Sequence, residues 1–515
     1  MHSALANALP EQILLSLFSY LDRRTLQVAG KVSRQWRRVS EDRSLWRRLL
    51  IADFRPKFGH QQRTRANHSE QDGGVHVVVD WKDEYRKLRY LAPIQLCQIV
   101  QDHRKEVMMV QISMDGNWLV SISRDMRALI YRVRTDRNQP LKLVHELADE
   151  FNLPWTYPKY AEFSPDNGRL LINGRCCANN IGQVSIFDLN SSRVNLTTNS
   201  GKQFLKQAAM QLQKQPVIKG GIRQRKLASW RHVANRWLDA QTLLLSHVQP
   251  ISPTIFREYF SLRRPPASGK HFLLSVQQRC AAELFRVSSV IPRRFDRGNP
   301  DDRLLMYTAQ DPQPPHYRRF VAFHHLTAEQ VQTALHRDEA AIFAPDDTMA
   351  DRMDSQPNFQ LDVQGLIIGL TLSQNGRTLT VHARGFLCDD EIAARTTAIE
   401  ANLSDETHIR LIDLTTLDLL PEAYSGAPAP EYRKIYKFAD ATPHYVASGC
   451  ASNEAFVWSR QYGCILARLP HDRPVDTARF HPYDEELLFT GSDDGSVKAW
   501  RSKRKTRELE EKDAR

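Results

Sequence analysis

The chain has 515 residues, of which 41% are apolar and 25% charged, and its formal net charge of +12 favours acidic partners. The length predicts about two to four domains, and no apolar run approaches the roughly 18 residues of a membrane span. There is no secretory signal pattern and no C-x-x-C pair among the seven cysteines, so we expect a cytoplasmic protein with neither a metal site nor a disulfide framework.

The first predicted unit, residues 1–54, has the apolar spacing of short helices. Leu14, Leu17, Phe18 and Leu21 recur three or four positions apart, which is the spacing of one helix face. Short helices cannot hide all of the large apolar side chains of this segment within themselves, so we expect a partner to cover part of the surface. A small helical cap on the following domain is the alternative.

The order of these residues resembles an F-box. The similar positions are Leu9-Pro10, Ile13-Leu14, Leu17-Phe18-Ser19-Tyr20-Leu21, Leu26, Val32-Ser33-Arg34-Gln35-Trp36 and Leu45-Trp46. In that family the helices bind a Skp-type adaptor, which connects to a cullin-RING scaffold. The resemblance implies that eight residues face the adaptor: Leu9, Pro10, Ile13, Leu14, Leu17, Leu21, Val32 and Trp36. Adaptors of this family are acidic, which suits the excess of basic residues in the first fifty positions.

Residues 55–92 are predicted to connect this unit to the rest of the chain. The stretch "RTRANHSEQDGG" is polar, and "VVVDWKDEYRKLRYL" has Trp81, Tyr85 and Leu88 on one side of a helix. The resemblance to F-box proteins implies that this helix holds the two parts of the protein at a set distance.

From residue 93 to residue 502 one local pattern recurs: an apolar strand, a short polar turn and a second strand. The turns fall near residues 115, 166, 239, 299, 375, 440 and 484, which are 44 to 76 positions apart. A four-stranded propeller blade takes about 40 to 45 residues, so the spacing predicts a seven-bladed β-propeller with insertions at about 190–232 and 308–358. An array of β-sandwiches is the alternative, but sandwiches show no period of this length.

Two of these units resemble WD repeats, most visibly in "LLFTGSDDGSVKAWRSKR". The resemblance implies a buried polar tetrad in the last unit and another in the first, formed by His471, Ser492, Asp494 and Trp500 and by His103, Ser123, Asp125 and Tyr131. The chain is therefore expected to be an α+β multidomain protein, in which a small all-α F-box precedes an all-β WD-repeat-like propeller.

The two ends of the propeller region are predicted to meet. After Trp500 the chain becomes charged and helical through residues 503–515, so the last unit lacks an outer strand. The segment 93–101 has alternating apolar residues, and we expect it to pair with the strand that ends at Trp500, which would remove an open sheet edge.

No motif of an enzyme is found. The chain has no phosphate-binding, dinucleotide-binding, zinc-protease or nucleophile-elbow sequence, and the His-Ser-Asp sets recur at blade spacing, which favours a structural role. We therefore predict a non-catalytic protein without cofactor or metal, and interpret His324-His325 as a surface or half-buried pair. The basic stretch 193–231 has few aromatic residues, so it is interpreted as a solvated insertion and not as a nucleic-acid site.

The last unit also resembles, imperfectly, the box that a propeller adaptor recognises in a second cullin ligase system. Asp494, Trp500 and Lys503 match that box, whereas Arg501 stands at its acidic position. The basic segment 501–507 is a candidate nuclear-import signal.

Together these patterns predict the substrate-recognition subunit of an SCF-type ubiquitin ligase. The F-box would bind the adaptor, and the propeller would hold a target protein near the ubiquitin-charged enzyme. Two alternatives stay open at this point. One is a receptor used mainly by the second cullin ligase, and the other is a non-ligase propeller scaffold with acidic or nucleic-acid partners.

Overall fold

The computed structural model describes most of the chain, with internal gaps. The described residues are 9–56, 79–147, 157–176, 181–189, 235–240, 242–250, 256–263, 274–276, 285–295, 299–309, 320–336, 357–373, 375–387, 403–429 and 437–513. The predicted insertion 190–232 and the basic stretch 193–231 within it lie outside these residues.

Within the described residues, four helices form the N-terminal unit, a fifth precedes the strands, and two more follow. Their bounds are α1 (Glu11–Phe18), α2 (Arg23–Ala29), α3 (Arg34–Ser40), α4 (Arg43–Phe54), α5 (Trp81–Arg86), α6 (Ala328–His336) and α7 (Lys503–Asp513). Side-chain oxygens of Asp22, Ser33, Asp42 and Asp80 accept hydrogen bonds from the first backbone N–H groups of α2 to α5, which fixes where these helices begin. A π-helical turn, Lys87–Leu91, continues α5.

The described strands form seven antiparallel sheets, six of four strands and one of three. In chain order the first four sheets are β2 (Val107–Ile112), β3 (Trp118–Ser123), β4 (Ala128–Val133) and β5 (Leu141–Leu147); β6 (Tyr157–Phe163), β7 (Arg169–Cys176) and β8 (Ile181–Asp188); β9 (Asn235–Trp237), β10 (Leu243–Pro250), β11 (Phe256–Arg263) and β12 (Leu274–Val276); and β13 (Phe285–Ser288), β14 (Arg303–Ala309), β15 (Phe320–Leu326) and β16 (Phe359–Asp362).

The other three sheets lie in the C-terminal part of the chain. They are β17 (Gly365–Leu372), β18 (Thr378–Phe386), β19 (Leu403–Asp413) and β20 (Asp418–Pro428); β21 (Asp440–Ala441), β22 (Tyr445–Gly449), β23 (Glu454–Ser459) and β24 (Ile465–Pro470); and β25 (Val475–His481), β26 (Asp484–Ser492) and β27 (Val497–Ser502) with β1 (Pro93–Val100).

The strand–turn–strand pattern of the sequence corresponds to a fixed place in these sheets. Five of the seven predicted turns lie in the link between the first and second strands of one sheet, from β2–β3 near residue 115 to β17–β18 near residue 375. The other two, near residues 440 and 484, fall on strand residues of β21 and β26 close to such a link. The helical unit followed by antiparallel sheets has the architecture predicted from the sequence, and it is consistent with a WD propeller.

Successive sheets contact one another mainly through their first strands. Contacts join the first strands β2 to β6, β9 to β13, β13 to β17 and β21 to β25, and the second strand β22 also contacts β25. The backbone N–H of Trp237 in β9 donates to Glu162 in β6. The first strand of the last sheet, β25, also contacts β2 of the first sheet. The first strands are therefore covered on both faces, and every residue of β21 and β25 is buried.

The predicted pairing between the two ends of the sheet region is present. β1 pairs antiparallel with β27, with Leu96 opposite Trp500 and Val100 opposite Val497. The register shifts twice along β1, which matches the imperfect alternation of its apolar residues. The last sheet thus takes its outer strand from the start of the sheet region. Within this pairing the Cys97 thiol donates to the carbonyl of Ala499, which is 402 positions away in the sequence.

The prediction of an insertion at 308–358 is wrong in part. Strand β15 (Phe320–Leu326) lies inside this range, and it pairs with β14 on one side and β16 on the other. His324 and His325 lie in this strand, and their polarity disguised a run whose other residues are apolar. The prediction of a surface or half-buried pair is wrong for His324, which is buried, whereas His325 is half-buried. Burial together with the neighbouring His325 lowers the pKa of His324 to about 4.

The N-terminal helices share one core with the connecting helix and with a distant part of the sheets. Trp46 and Leu50 of α4 are buried with Trp81 and Tyr85 of α5, and Tyr462 and Cys464 from the β23–β24 turn belong to the same cluster. The Tyr462 hydroxyl donates to Glu84 at 3.0 Å. Helix α7 packs against the π-helical turn and β1, and its Leu509 is buried, so the predicted charged tail is a docked helix.

Candidate functional site

The N-terminal unit has large apolar side chains on its surface as well as in its core. Ile13 and Leu17 of α1 are 48% and 52% exposed, Val32 before α3 is 54% exposed, and Leu9 and Pro10 are also exposed. The Gln35 side chain donates to the Leu9 carbonyl at 2.9 Å, which holds the start of α1 next to the segment that contains Val32. We call Leu9, Pro10, Ile13, Leu17 and Val32 the apolar face.

Three of the residues predicted to face an adaptor are partly or wholly buried in the core of this unit. Leu14 is completely buried, and Leu21 and Trp36 are half-buried against the core. The reason is geometric: Ile13 and Leu17 are one turn apart on the outer side of α1, whereas Leu14 and Phe18 form a second stripe that faces the other helices. Phe18 packs edge-on against Trp36, with ring centroids 5.2 Å apart.

Three exposed large apolar residues of this unit were absent from the predicted set, and one of them is Ile51 of α4, which is 39% exposed. Val28 is 63% and Tyr20 is 85% exposed. Val28 precedes Val32 by one helical turn, so the spacing from Val32 is the signal that could have identified it.

The polar tetrads differ from the prediction by one residue each. His471 Nε2 lies 2.8 Å from Thr490 Oγ1, which also accepts the Trp500 indole N–H, while His471 Nδ1 lies 3.2 Å from Asp494. The hydroxyl partner is therefore Thr490 and not Ser492. Ser492 instead accepts the Asp494 backbone N–H at 3.2 Å and so belongs to the turn.

The first sheet repeats this arrangement with the same two-residue offset. His103 Nε2 lies 2.7 Å from Ser121 Oγ, and His103 Nδ1 lies 3.1 Å from Asp125. Ser123 accepts the Asp125 backbone N–H, as Ser492 does in the last sheet. Residues two apart on a strand point to the same face, so the sequence offset alone could not separate the two serines. The Tyr131 hydroxyl donates to Asp102 at 3.3 Å.

Replacing Asp125 by asparagine should destabilise the first sheet in a pH-dependent way. Burial by itself would raise the pKa of Asp125, but hydrogen bonds with His103 and with two backbone N–H groups outweigh it and lower the pKa from 3.8 to about 2. A lowered carboxyl pKa contributes stability above the ordinary pKa and loses it as the pH falls toward the folded value. We expect a loss of about 2 kcal/mol at neutral pH, which shrinks below about pH 4.

Hydrogen exchange of the β3 and β4 amides measures this local free energy of opening. Asp136→Asn is the matched control, because its side chain is exposed in the β4–β5 turn of the same sheet. A pH-independent difference between Asp125→Asn and the wild-type protein would contradict the assignment.

The residues of the second adaptor box do not lie on one accessible surface. Trp500 is 2% exposed, and Asp494 is bonded to His471. Arg501 is completely buried and donates to the carbonyls of Thr135 and Arg137 in the first sheet. Lys503 is half-exposed at the start of α7. Arg501 therefore ties the last sheet to the first, which gives a structural reason for its departure from the box.

A buried charged cluster on the first strands was not predicted. Arg236 of β9 and Arg286 of β13 are buried near Glu162 of β6, and the Arg236 guanidinium lies 3.4 Å from the centre of the Tyr160 ring. Burial, together with Arg236 and Arg479, lowers the pKa of Arg286 to about 9. Each of these charged residues stands directly beside an aromatic residue in a first strand, as Glu162-Phe163, Arg236-Trp237 and Phe285-Arg286, and that is the sequence signal for this cluster.

Two features are absent from the described residues. No group of three or more His, Cys, Asp or Glu side chains is arranged to hold a metal ion there. None of the described helices has the length and hydropathy that a membrane crossing requires.

Two segments of the chain match models of known families. Residues 6–52 match the F-box-like model, and residues 463–501 match the model of the WD domain, G-beta repeat. The first match covers α1 to α4 apart from the end of α4, and the second covers β24 to β27 apart from the final residue of β27.

Some relatives match nearly the whole chain, and others match a short part of it. F-box/WD repeat-containing protein 5 of Homo sapiens is 24% identical over 571 aligned residues, which cover 98% of this chain and 95% of that protein. The protein of the same name from Mus musculus is 23% identical over 588 aligned residues, with the same coverage. F-box only protein 15 of Mus musculus is 32% identical over 83 residues, 16% of this chain and 19% of that protein. The chain therefore combines an F-box-like N-terminal segment with WD repeats, and it is similar over nearly its whole length to F-box/WD repeat-containing protein 5.

Proposed function

We propose that this protein is the substrate-recognition subunit of an SCF-type cullin-RING ubiquitin ligase. The observation that best supports the proposal is the apolar face of an F-box-like unit that is otherwise well packed. Its neighbours Leu14, Phe18 and Leu26 are buried, while Ile13 and Leu17 point to solvent. Apolar side chains grouped on one side of a folded unit are typical of a surface that binds another protein.

In this proposal the four parts of the chain have separate tasks. Residues 1–54 bind the Skp-type adaptor, residues 55–92 connect the two domains, residues 93–502 hold the target protein, and helix α7 (Lys503–Asp513) stabilises the connection. The contact of Tyr462 with Glu84 and the packing of α7 on the π-helical turn support a fixed distance between adaptor and target.

The protein itself performs no chemistry in this proposal. A receptor accelerates ubiquitin transfer by holding a target lysine near the ubiquitin-charged enzyme, which raises the effective concentration of the lysine. A fixed distance serves this purpose, because a freely moving receptor would spread the lysine over a larger volume.

The test is assembly with purified components. The full chain is titrated with a Skp-type adaptor by calorimetry, and a cullin-RING scaffold is then added to the complex and followed by size-exclusion chromatography. We expect submicromolar binding of the adaptor and co-elution with the scaffold only when the adaptor is present. Absence of adaptor binding at about 10 μM would overturn the proposal, since such a complex would have less than about 7 kcal/mol of binding free energy.

A parallel titration with the propeller adaptor of the second cullin system addresses the other ligase. Because Trp500 and Arg501 are buried, we expect this adaptor to bind more weakly than the Skp-type adaptor. Stronger binding of the propeller adaptor would favour the second system as the main scaffold.

A further inference from the structure

A cleft with a volume of about 860 Å³ lies between α2, α3 and α5. Its floor includes the buried residues Leu26, Ser40 and Trp46. Six basic side chains also line it, and they are Arg24, Lys31, Arg34, Arg37, Lys82 and Arg86. The cleft is distinct from the apolar face, because none of the five residues of that face lines it.

The positive charge of this cleft is largely uncompensated. Glu41 is the one carboxylate that lines it, and this carboxylate lies 3.0 Å from Lys82 Nζ and 3.9 Å from Arg37 Nε. The other four basic residues, Arg24, Lys31, Arg34 and Arg86, make no ion pair with a described residue. Like charges held this close favour a ligand that brings negative charge.

The same positive field extends beyond the cleft to the C-terminal helix. Burial lowers the pKa of Lys503, and Arg89, Arg23, Arg507 and Arg24 lower it further. Arg24 is thus common to the cleft and to this second group of cations. Basic residues from α2, the π-helical turn and α7 therefore all contribute to the positive potential around Lys503.

We propose that the cleft binds an acidic peptide segment of a partner protein. Carboxylate or phosphate groups of the segment would pair with the arginines of the rim, and an apolar side chain would contact the exposed Val28. A peptide fits better than a nucleic acid, because single-stranded nucleic acids need exposed aromatic rings on which bases stack. The one aromatic ring that lines the cleft, Trp46, is buried, and its indole N–H donates to the Ser40 carbonyl.

The probe is a short labelled peptide of glutamate and aspartate with one central leucine, titrated into the full chain by fluorescence anisotropy. The cleft variant is Arg24→Gln/Arg34→Gln, and Arg43→Gln/Arg104→Gln is the matched control, because it removes equal charge from exposed positions outside the cleft. We expect the cleft variant to weaken binding at least about tenfold and the control less than about twofold. Thermal unfolding checks that both variants fold.

Two further experiments distinguish carboxylate from phosphate recognition and the cleft from the apolar face. A phosphoserine peptide of equal charge tells phosphate from carboxylate recognition, and either preference fits the proposal. Ile13→Asp/Leu17→Asp should leave peptide binding unchanged, so that failure of the adaptor proposal and failure of this one are distinguishable.

Three results would overturn the proposal. The first is absence of peptide binding by the wild-type protein at low salt, where charge pairing is least screened. The second is an equal loss in the cleft variant and the control, which would mean that net charge alone attracts the peptide. The third is displacement of the peptide by single-stranded RNA at a lower charge concentration than by unlabelled peptide.

Discussion

Replacing Ile13 and Leu17 by aspartate should abolish binding of the Skp-type adaptor while the N-terminal helices stay folded. Both side chains are about half exposed and lie outside the buried core, so the fold loses little packing. In the proposed complex they become buried, and a carboxylate there would lose its hydration without gaining a partner. Two central apolar contacts are together worth about 3 kcal/mol or more, so we expect affinity to fall at least about 100-fold.

The measurement is calorimetric titration of the full-length variant with the adaptor, together with the far-ultraviolet circular dichroism of both proteins. Tyr483→Asp is the matched control, because Tyr483 is a large and exposed residue of the last sheet. Wild-type affinity in Ile13→Asp/Leu17→Asp would contradict the placement of the adaptor on the apolar face.

Leu14→Ala distinguishes the two stripes of α1. Leu14 is completely buried, so its truncation should lower the free energy of unfolding of the helical unit by about 2–5 kcal/mol. Any loss of adaptor binding should then follow the fraction unfolded and disappear at lower temperature. A loss that persists in the folded variant would return Leu14 to the adaptor-facing set.

The sequence was sufficient to place the main elements, because those depend on local patterns. Turn chemistry located five of the seven links between first and second strands, and capping residues such as Asp22 and Asp42 mark helix starts. Strand β15 was missed because its two histidines interrupt an apolar run. β15 lies between β14 and β16, and a strand in the interior of a sheet does not need alternating polar and apolar residues.

The sequence was insufficient where two sets of residues have the same spacing and either set could face the core. Ile13 with Leu17 and Leu14 with Phe18 have the same helical spacing, and only the packing of α2 to α4 decides which pair faces inward. The serines of the tetrads pose the same problem on a strand, since Ser121 and Ser123 share one face. The contact of Tyr462 with Glu84 joins residues 378 positions apart, and no local pattern reports it.

Trp500→Ala should be among the most destabilising single changes in the last sheet. The indole is buried in a cluster with Leu488, Phe480 and Ala92, and its N–H donates to Thr490 at 2.8 Å. Removing it leaves a cavity and costs about 3–5 kcal/mol. Because Leu96 lies opposite Trp500, we expect the β1–β27 pairing to loosen as well, which hydrogen exchange of the β1 amides would detect.

Trp500→Phe is the control for this change. It keeps an aromatic ring in the cluster and removes the indole N–H, while Thr490 keeps its contact with His471. We expect a cost of about 1 kcal/mol from the lost hydrogen bond, with additional loss from the smaller ring. Equal exchange rates of the β1 amides in the alanine variant and the wild-type protein would show that Trp500 is dispensable for this pairing.

These two variants also decide how the second adaptor box can be tested. Loss of binding in Trp500→Ala would report damage to the sheet and not a contact with the adaptor, because the side chain is 2% exposed. Lys503→Glu is the better probe, because Lys503 is half-exposed. The neighbouring Arg23, Arg89 and Arg507 would attract the glutamate, so we expect α7 to stay docked. If the propeller adaptor binds the wild-type protein and Trp500→Phe equally but fails to bind Lys503→Glu, the box is a contact surface despite its buried tryptophan. Equal binding by all three would confine Trp500 to the structural role that its burial and its bond to Thr490 indicate.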